Sequence, residues 1–268
     1  MSYFQWDQNE LLSFFAVLVR FGTMIAVFPV VGEKNIPATG KVLFSLAISL
    51  CCFPFLMSSG QVDPSAASIW GASVSGIAGT VVLEALCGVA LGYSARLLFM
   101  AIQIAGDIIG TFMGFAAASS FDPTQDSQSQ LVTKLKTTLG MLIFLSLDGH
   151  LVMFRSGLES YQTIPLGGMN LGRTFSMKLM EDSARMIVVG LQLAAPMAIS
   201  IFSVNVVYGI MAKAMPQLNV LVLSFSVSAL IGLFVLVFGF NEFFAVTGNL
   251  FEGMAEHMEG MKRALSGA

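Results

Sequence analysis

Residues 106–130 read GDIIGTFMGFAAASSFDPTQDSQSQ, an apolar half followed by a polar one. In the apolar half Gly106, Gly110, Gly114 and Ala118 recur every four residues. Residues four apart share one face of a helix, so the spacing predicts a helix with one face nearly bare of side chains. Apolar side chains gain little by leaving lipid for a partner helix, so membrane helices pack through small residues that let backbones approach. Phe112, Met113 and Phe115 project from the other faces of such a helix. Ser119-Ser120-Phe121-Asp122-Pro123 then ends it, because a residue before proline is driven out of the helical region and Asp-Pro opens turns. Residues 124–130 contain no apolar side chain. The plainer reading is a transmembrane helix followed by an ordinary aqueous loop. The sharper one makes Met113, Phe115 and Phe121, gathered about the turn, a deformable seal.

The composition outside this stretch supports the membrane reading. Of 268 residues, 56% are hydrophobic and 11% charged, against roughly 25% charged in soluble domains. The formal charge is -3 and there is no basic block, which argues against a nucleic-acid partner. Asp7 and Glu10 stand where a cleavable signal would carry basic residues, so the first apolar segment is expected to serve as an uncleaved anchor. Cys51 and Cys52 are adjacent and Cys87 lies alone in another apolar segment. Buried free thiols are expected rather than a disulfide or a metal site.

A spanning helix needs about 20 mostly apolar residues. The candidates are residues 11–31, 42–57, 69–91, 97–118, 139–154, 186–210 and 220–240. The second is short, with Pro54 near its end, and Pro29, Pro54 and Pro196 are possible helix breaks. The third and fourth are separated only by residues 92–96 and form either one long helix or a tight hairpin. One long hydrophilic connection, 155–185, contains the turn Pro165-Leu166-Gly167-Gly168 and a stretch, 173–185, that reads as a short mixed-charge helix. Seven spans with the N-terminus outside put Lys34, Lys41, Arg155, Arg173, Lys178, Arg185, Lys262 and Arg263 on the cytoplasmic side. Lys134, Lys136 and Lys213 fall opposite, a modest positive-inside bias that turns residues 121–130 outward.

Further small-residue ladders repeat the packing theme: Gly71, Ser75 and Gly79, then Gly88 and Gly92. In the tail, Phe251, Met254, Met258, Met261 and Leu265 form one stripe of an amphipathic helix, with Glu259 and Arg263 a favourable pair off it. Mostly acidic charge suits an anionic lipid surface poorly, so the stripe is expected to dock on a partner.

Chemistry is sparse. Arg20, Glu84, Asp107 and Asp148 fall inside apolar segments, and Arg96 lies between two. Each such charge costs at least about 2.5–3.5 kcal/mol in hydrocarbon and needs a partner, water or a special location. They read as structural pairs between helices or as an ion pathway; Glu84, Asp107 and Asp148 would carry protons in a proton-coupled transporter of a small solute. His150 is the one histidine near an apolar segment and reads as an interfacial residue. No metalloprotease motif, phosphate loop or nucleophile elbow is present.

Several ordered strings carry a resemblance. They are Arg20-Phe21, Phe28-Pro29-Val30-Val31-Gly32-Glu33 and Ile36-Pro37, then Gly110-Thr111-Phe112-Met113-Gly114-Phe115 with Phe121-Asp122-Pro123. Phe144-Leu145-Ser146-Leu147-Asp148-Gly149-His150, Tyr161-Gln162-Thr163-Ile164-Pro165-Leu166-Gly167, Leu193-Ala194-Ala195-Pro196 and Met215-Pro216-Gln217-Leu218-Asn219 follow. Together they span about residues 10–240 and resemble the FliR family of flagellar type III export-gate subunits, related to a counterpart in virulence secretion systems. Asp148 stands where the resemblance leads one to expect Asn before Gly-His.

The resemblance implies an all-α membrane protein of bent helical hairpins in a multi-subunit spiral assembly. It implies a FliP-like part, 1–185, fused to a FliQ-like hairpin, 186–268, with a plug loop at about 106–130. The implied partners are several copies of FliP and FliQ, with FlhB and unfolded flagellar proteins in transit. The implied role is non-enzymatic, in the bacterial inner membrane, with no cofactor and no metal. Gly110, Met113, Gly114, Phe115, Phe121, Asp122 and Pro123 map to the family's channel plug, while Gly106, Gly88 and Gly92 are helix-packing positions on the spacing read above. In such an assembly, raised toward the periplasm, charges assigned above to lipid lie against protein or water, and the seven-span count weakens.

Overall fold

The acids at the N-terminus do local work. Asp7 accepts from the Gln8 amide at 2.8 Å while Glu10 accepts from the Asp7 amide at 3.2 Å, a capping box that starts α1 (Gln8–Val27). The computed structural model describes residues 6–29, 37–114, 131–215 and 220–267. Among these the secondary structure is helical, with no strand. After α1 come α2 (Ala38–Ser58), a 3₁₀ turn (Pro64–Ala66), α3 (Ala67–Trp70) and α4 (Val74–Phe112). Then follow α5 (Leu131–Ser146), α6 (Gly149–Thr163), α7 (Arg173–Ala214), α8 (Val220–Phe238), α9 (Phe240–Glu252) and α10 (Met254–Ser266).

By length and hydropathy α1, α2, α4 and α7 each qualify to cross a membrane, or up to six spans if each of two bent helix pairs counts as one. Among the described residues that is four to six spans rather than the expected seven. The third and fourth apolar stretches are one 39-residue helix, α4, so the hairpin alternative falls: residues 92–96 contain no breaker strong enough to end it. The fifth stretch is broken instead. Asp148 adopts a left-handed conformation (φ 55°) between α5 and α6, a backbone state that ends a helix. The expected long connection shrinks to residues 164–172, because α6 reaches Thr163 and residues 173–185 are the first turns of the 42-residue α7. Pro54 and Pro196 sit inside α2 and α7 without ending them.

The chain divides into two compact units, neither contiguous in sequence. The first comprises Met1–Leu97, Asp148–Asp182 and Gly253–Ala268; the second comprises Leu98–Leu147 and Ser183–Glu252. In the first, α1 is central. Its buried residues Phe14, Val17, Phe21, Met24 and Ile25 follow helical spacing, and α2 and α3 pack on it. Gly88 and Gly92 of α4 lie over the carbonyls of Arg20 and Met24: a Cβ at Gly92 would come 2.6 Å from the Met24 oxygen, and one at Gly88 would overlap the Arg20 oxygen and the Thr23 hydroxyl. Gly157 of α6 meets Met24 and Phe21 in the same way, at 2.9 Å and 3.1 Å from a built Cβ. The ladder at Gly71, Ser75 and Gly79 does not form one helix face, since Gly71 lies before α4; a Cβ at Gly71 would come 2.7 Å from Leu12 of α1, while one at Gly79 meets nothing within 4 Å among the described residues.

The second unit has its own core. Phe99, Phe144 and Phe251 form a triangle with ring centroids 5.1–5.3 Å apart. A Cβ at Gly106 would come 2.5 Å from Thr133 Cα, so α4 and α5 touch backbone to backbone there. Cys51 is exposed on the chain's surface, against expectation, because it lies on the side of α2 away from α1; Cys87 is buried and all three thiols are free.

Candidate functional site

Three groups of residues bear on function: the end of α4, a buried charge network, and the tail. α4 ends at Phe112, earlier than the glycine spacing predicts. Gly114 has φ +85° and its amide donates to the Thr111 carbonyl at 3.1 Å. Gly114 is therefore the left-handed stop of the helix rather than the third step of its bare face. Gly106 and Gly110 remain buried in α4, and Met113 is buried against α8, where a Cβ on Gly232 would come 2.5 Å from its Cγ. Beside it Asn205 of α7 donates to the Phe112 carbonyl at 3.4 Å and accepts from Ser228 of α8 at 2.6 Å, tying the end of α4 to both helices. Phe115, Phe121, Asp122 and Pro123 lie outside the described residues.

In the first unit, Arg20 and Glu84 are each about 1% exposed and form a two-pronged ion pair: Nε to Oε2 at 2.6 Å and Nη2 to Oε1 at 2.9 Å. Arg20 Nη1 also donates to Ser160 Oγ at 3.0 Å and to the Ile164 carbonyl at 3.1 Å, and its guanidinium lies 3.9 Å from the Tyr161 ring. Glu84 Oε1 accepts a further bond from the Gly167 amide at 2.8 Å. One face of α4 thus carries Glu84, Gly88 and Gly92 in sequence: the carboxylate takes the Arg20 side chain, and the two glycines admit the α1 backbone. The network ties α1, α4, the end of α6 and the turn at 165–167 together.

The remaining charges sit elsewhere. Arg96 and Asp148 are exposed on the chain. Asp107, also exposed, accepts from Thr133 Oγ1 at 2.6 Å.

The tail is two helices. Gly253 separates α9 from α10, so Phe251 belongs to the aromatic triangle of the second unit, while Met254, Met258, Met261 and Leu265 lie in the first. These four are fully buried and α10 packs on α6, so the stripe that was expected to meet a partner is covered by the chain itself. Lys262 clamps the contact through Glu159 at 3.3 Å and Glu259 at 2.6 Å, and Glu259 also pairs with Arg263 at 3.5 Å.

Two groups escaped the sequence reading. Asp182, 1% exposed, faces Lys178 at 2.8 Å and His257 at 3.6 Å, a contact between residues 75 positions apart that no local pattern signals. Lys136, which the charge bias places among residues opposite the cytoplasmic side, lies inside α5, 2% exposed, with its Nζ 4.8 Å from the centre of the Phe243 ring. The apolar run that follows it was the available signal.

Residues 11–254 match the family model described as bacterial export proteins, family 1. The chain is 30% identical over 237 residues to the flagellar biosynthetic protein FliR of Pectobacterium carotovorum subsp. carotovorum, covering 88% of this chain and 87% of that protein. It is 27% identical over 254 residues to FliR of Bacillus subtilis (strain 168), covering 93% and 94%. FliR of Escherichia coli (strain K12) is 27% identical over 229 residues, covering 85% and 84%.

Proposed function

The chain belongs to the bacterial export proteins, family 1, and we propose from this premise that it is a core, non-enzymatic subunit of a flagellar type III protein export gate. The observation that carries the proposal is the family match over residues 11–254, which takes in both contact units. Its partners on this reading are FliP and FliQ in several copies, with FlhB, in the bacterial inner membrane and raised in part toward the periplasm. Unfolded flagellar proteins pass through the assembled spiral. Residues 1–185 correspond to a FliP-like part and 186–268 to a FliQ-like hairpin. The contact units interleave these parts, so the division is one of internal likeness rather than of separately packed bodies.

The gate is steric and hydrophobic. Met113, Phe115 and Phe121 close the lumen at rest, and Gly110, Gly114, Asp122 and Pro123 shape the segment that carries them. What supports this is the way α4 stops: Gly114 turns the chain without strain, and Met113 beside it is seated on Gly232. Deleting residues 115–122 should raise passive ion leak through the reconstituted complex while leaving assembly intact. Unchanged conductance in a correctly assembled complex would refute the plug. A chain that purifies alone and drives uptake of a small solute into liposomes would refute the gate itself.

A further inference from the structure

Among the described residues, one buried charge in the second unit has no counter-charge. Lys136 is 2% exposed and its Nζ makes no hydrogen bond or ion pair among the described residues. Its one electrostatic contact is the Phe243 ring, with Nζ 4.8 Å from the centroid. An ammonium out of water without an anion costs several kcal/mol, and a ring face offsets only about 0.5–2 kcal/mol of that.

Lys136 is one of the residues lining a cavity of about 470 Å³, inside the range of roughly 300–1,000 Å³ typical of sites for small molecules, and its ammonium is packed beside that cavity. Leu193, Pro196, Met197, Phe234 and Phe243 give it an apolar wall, while Gln192, Asn241 and Glu242, all exposed, line it as well. Glu242 makes no ion pair with Lys136 among the described residues. Lys136 is five residues into α5, about 7–8 Å along the axis from its start, and residues 124–130 before that helix are wholly polar.

We propose that this cavity binds a phospholipid, with the phosphate on Lys136 and an acyl chain along the apolar wall. The chemistry selects the ligand class. The buried cation asks for an anion, the wall asks for hydrocarbon, and the membrane supplies both in one molecule. Free phosphate would satisfy the first demand alone, and a fatty acid would satisfy both with a carboxylate. The assignment does not rest on the export role.

The test uses the full chain, purified in its membrane complex, delipidated in detergent and titrated with dioleoylphosphatidylglycerol, dioleoylphosphatidylethanolamine, oleate or inorganic phosphate. Retained ligand is read by native mass spectrometry. Wild type and Lys136→Arg should retain one phospholipid at this site. Lys136→Met, which removes the charge and keeps the length, should weaken retention about tenfold or more, the loss of one charge-assisted hydrogen bond. Ser200→Trp should fill the cavity and abolish retention with Lys136 intact. The proposal is overturned by equal phospholipid retention in Lys136→Met, by binding of oleate or inorganic phosphate without phospholipid, or by a carbodiimide cross-link from Lys136 to a carboxylate of another subunit. Should Lys136→Met fail to assemble, the Ser200→Trp and Lys136→Arg arms decide alone.

Discussion

Replacing Glu84 by Met leaves Arg20 charged and buried. In the intact chain the guanidinium donates four hydrogen bonds, two of them to Glu84, and keeps only Ser160 Oγ and the Ile164 carbonyl once the carboxylate is gone. Removing one partner of a buried ion pair costs about 3–5 kcal/mol. For a chain of this size that corresponds to a fall of roughly 6–20 °C in melting temperature, at about 2–4 °C per kcal/mol. Arg20→Met should cost a similar amount, since it strands the carboxylate. The double variant Arg20→Met/Glu84→Met carries no stranded charge. It loses the bonds to the Ile164 carbonyl and the Gly167 amide, about 1–3 kcal/mol each at most, partly offset by the apolar replacement. Its fall should therefore be close to that of either single variant and far below their sum. The assay is thermal unfolding of the detergent-solubilised protein, combined with limited proteolysis across residues 164–172, which the Gly167 bond to Glu84 holds in place. A drop under about 3 °C for Glu84→Met, or strict additivity in the double variant, would show that the pair contributes little and that the reasoning fails.

Gly88→Ala should lower the melting temperature by several degrees, because its Cβ would overlap the Arg20 carbonyl oxygen; Gly79→Ala, with nothing within 4 Å, should raise it slightly through helix propensity, a gain of up to about 1 kcal/mol. The same thermal scan checks both, and equal effects at the two positions would contradict the close approach of α1 and α4. Met258→Asp should release α10 from α6, seen as rapid proteolytic loss of the tail, since Met258 is fully buried and a carboxylate there would give up its hydration. An unchanged digestion pattern would mean that α10 is held by its Lys262 ion pairs rather than by its Met stripe.

Helix class, membrane character and the glycine contacts at 88 and 92 were legible because they depend on local spacing. Helix ends were less legible, because they turn on single residues. Gly114 looked like a step of a ladder until its φ of +85° made it a stop. Asp148 looked like an intramembrane charge, yet it is a left-handed joint exposed on the chain. The tail stripe was read correctly as amphipathic, but periodicity names a face and not what covers it. Here the cover is α6 of the same chain. The partner of Arg20 lies 64 residues away on α4. Sequence supplied both charges and the reason they must be paired, and only the fold supplied the pairing.

The charges divide by how their burial is met, and the division separates structural from functional readings. Glu84 already accepts three hydrogen bonds, two from Arg20 and one from Gly167. A carboxylate that relays protons must exchange partners with water or substrate, whereas this one is held by a permanent cation on the neighbouring helix and by a backbone amide. Its position on α4, four residues before Gly88, sets the register in which the two glycines meet α1, and a shift of one turn would put the carboxylate where Gly88 now lies against the α1 backbone. Buried ion pairs seldom add net stability over a well-packed apolar core, but they penalise every alternative register that leaves either charge alone. Lys136 obeys the same physics with the opposite outcome. Nothing among the described residues of its own unit neutralises it, which is why a phospholipid phosphate is proposed above as its partner.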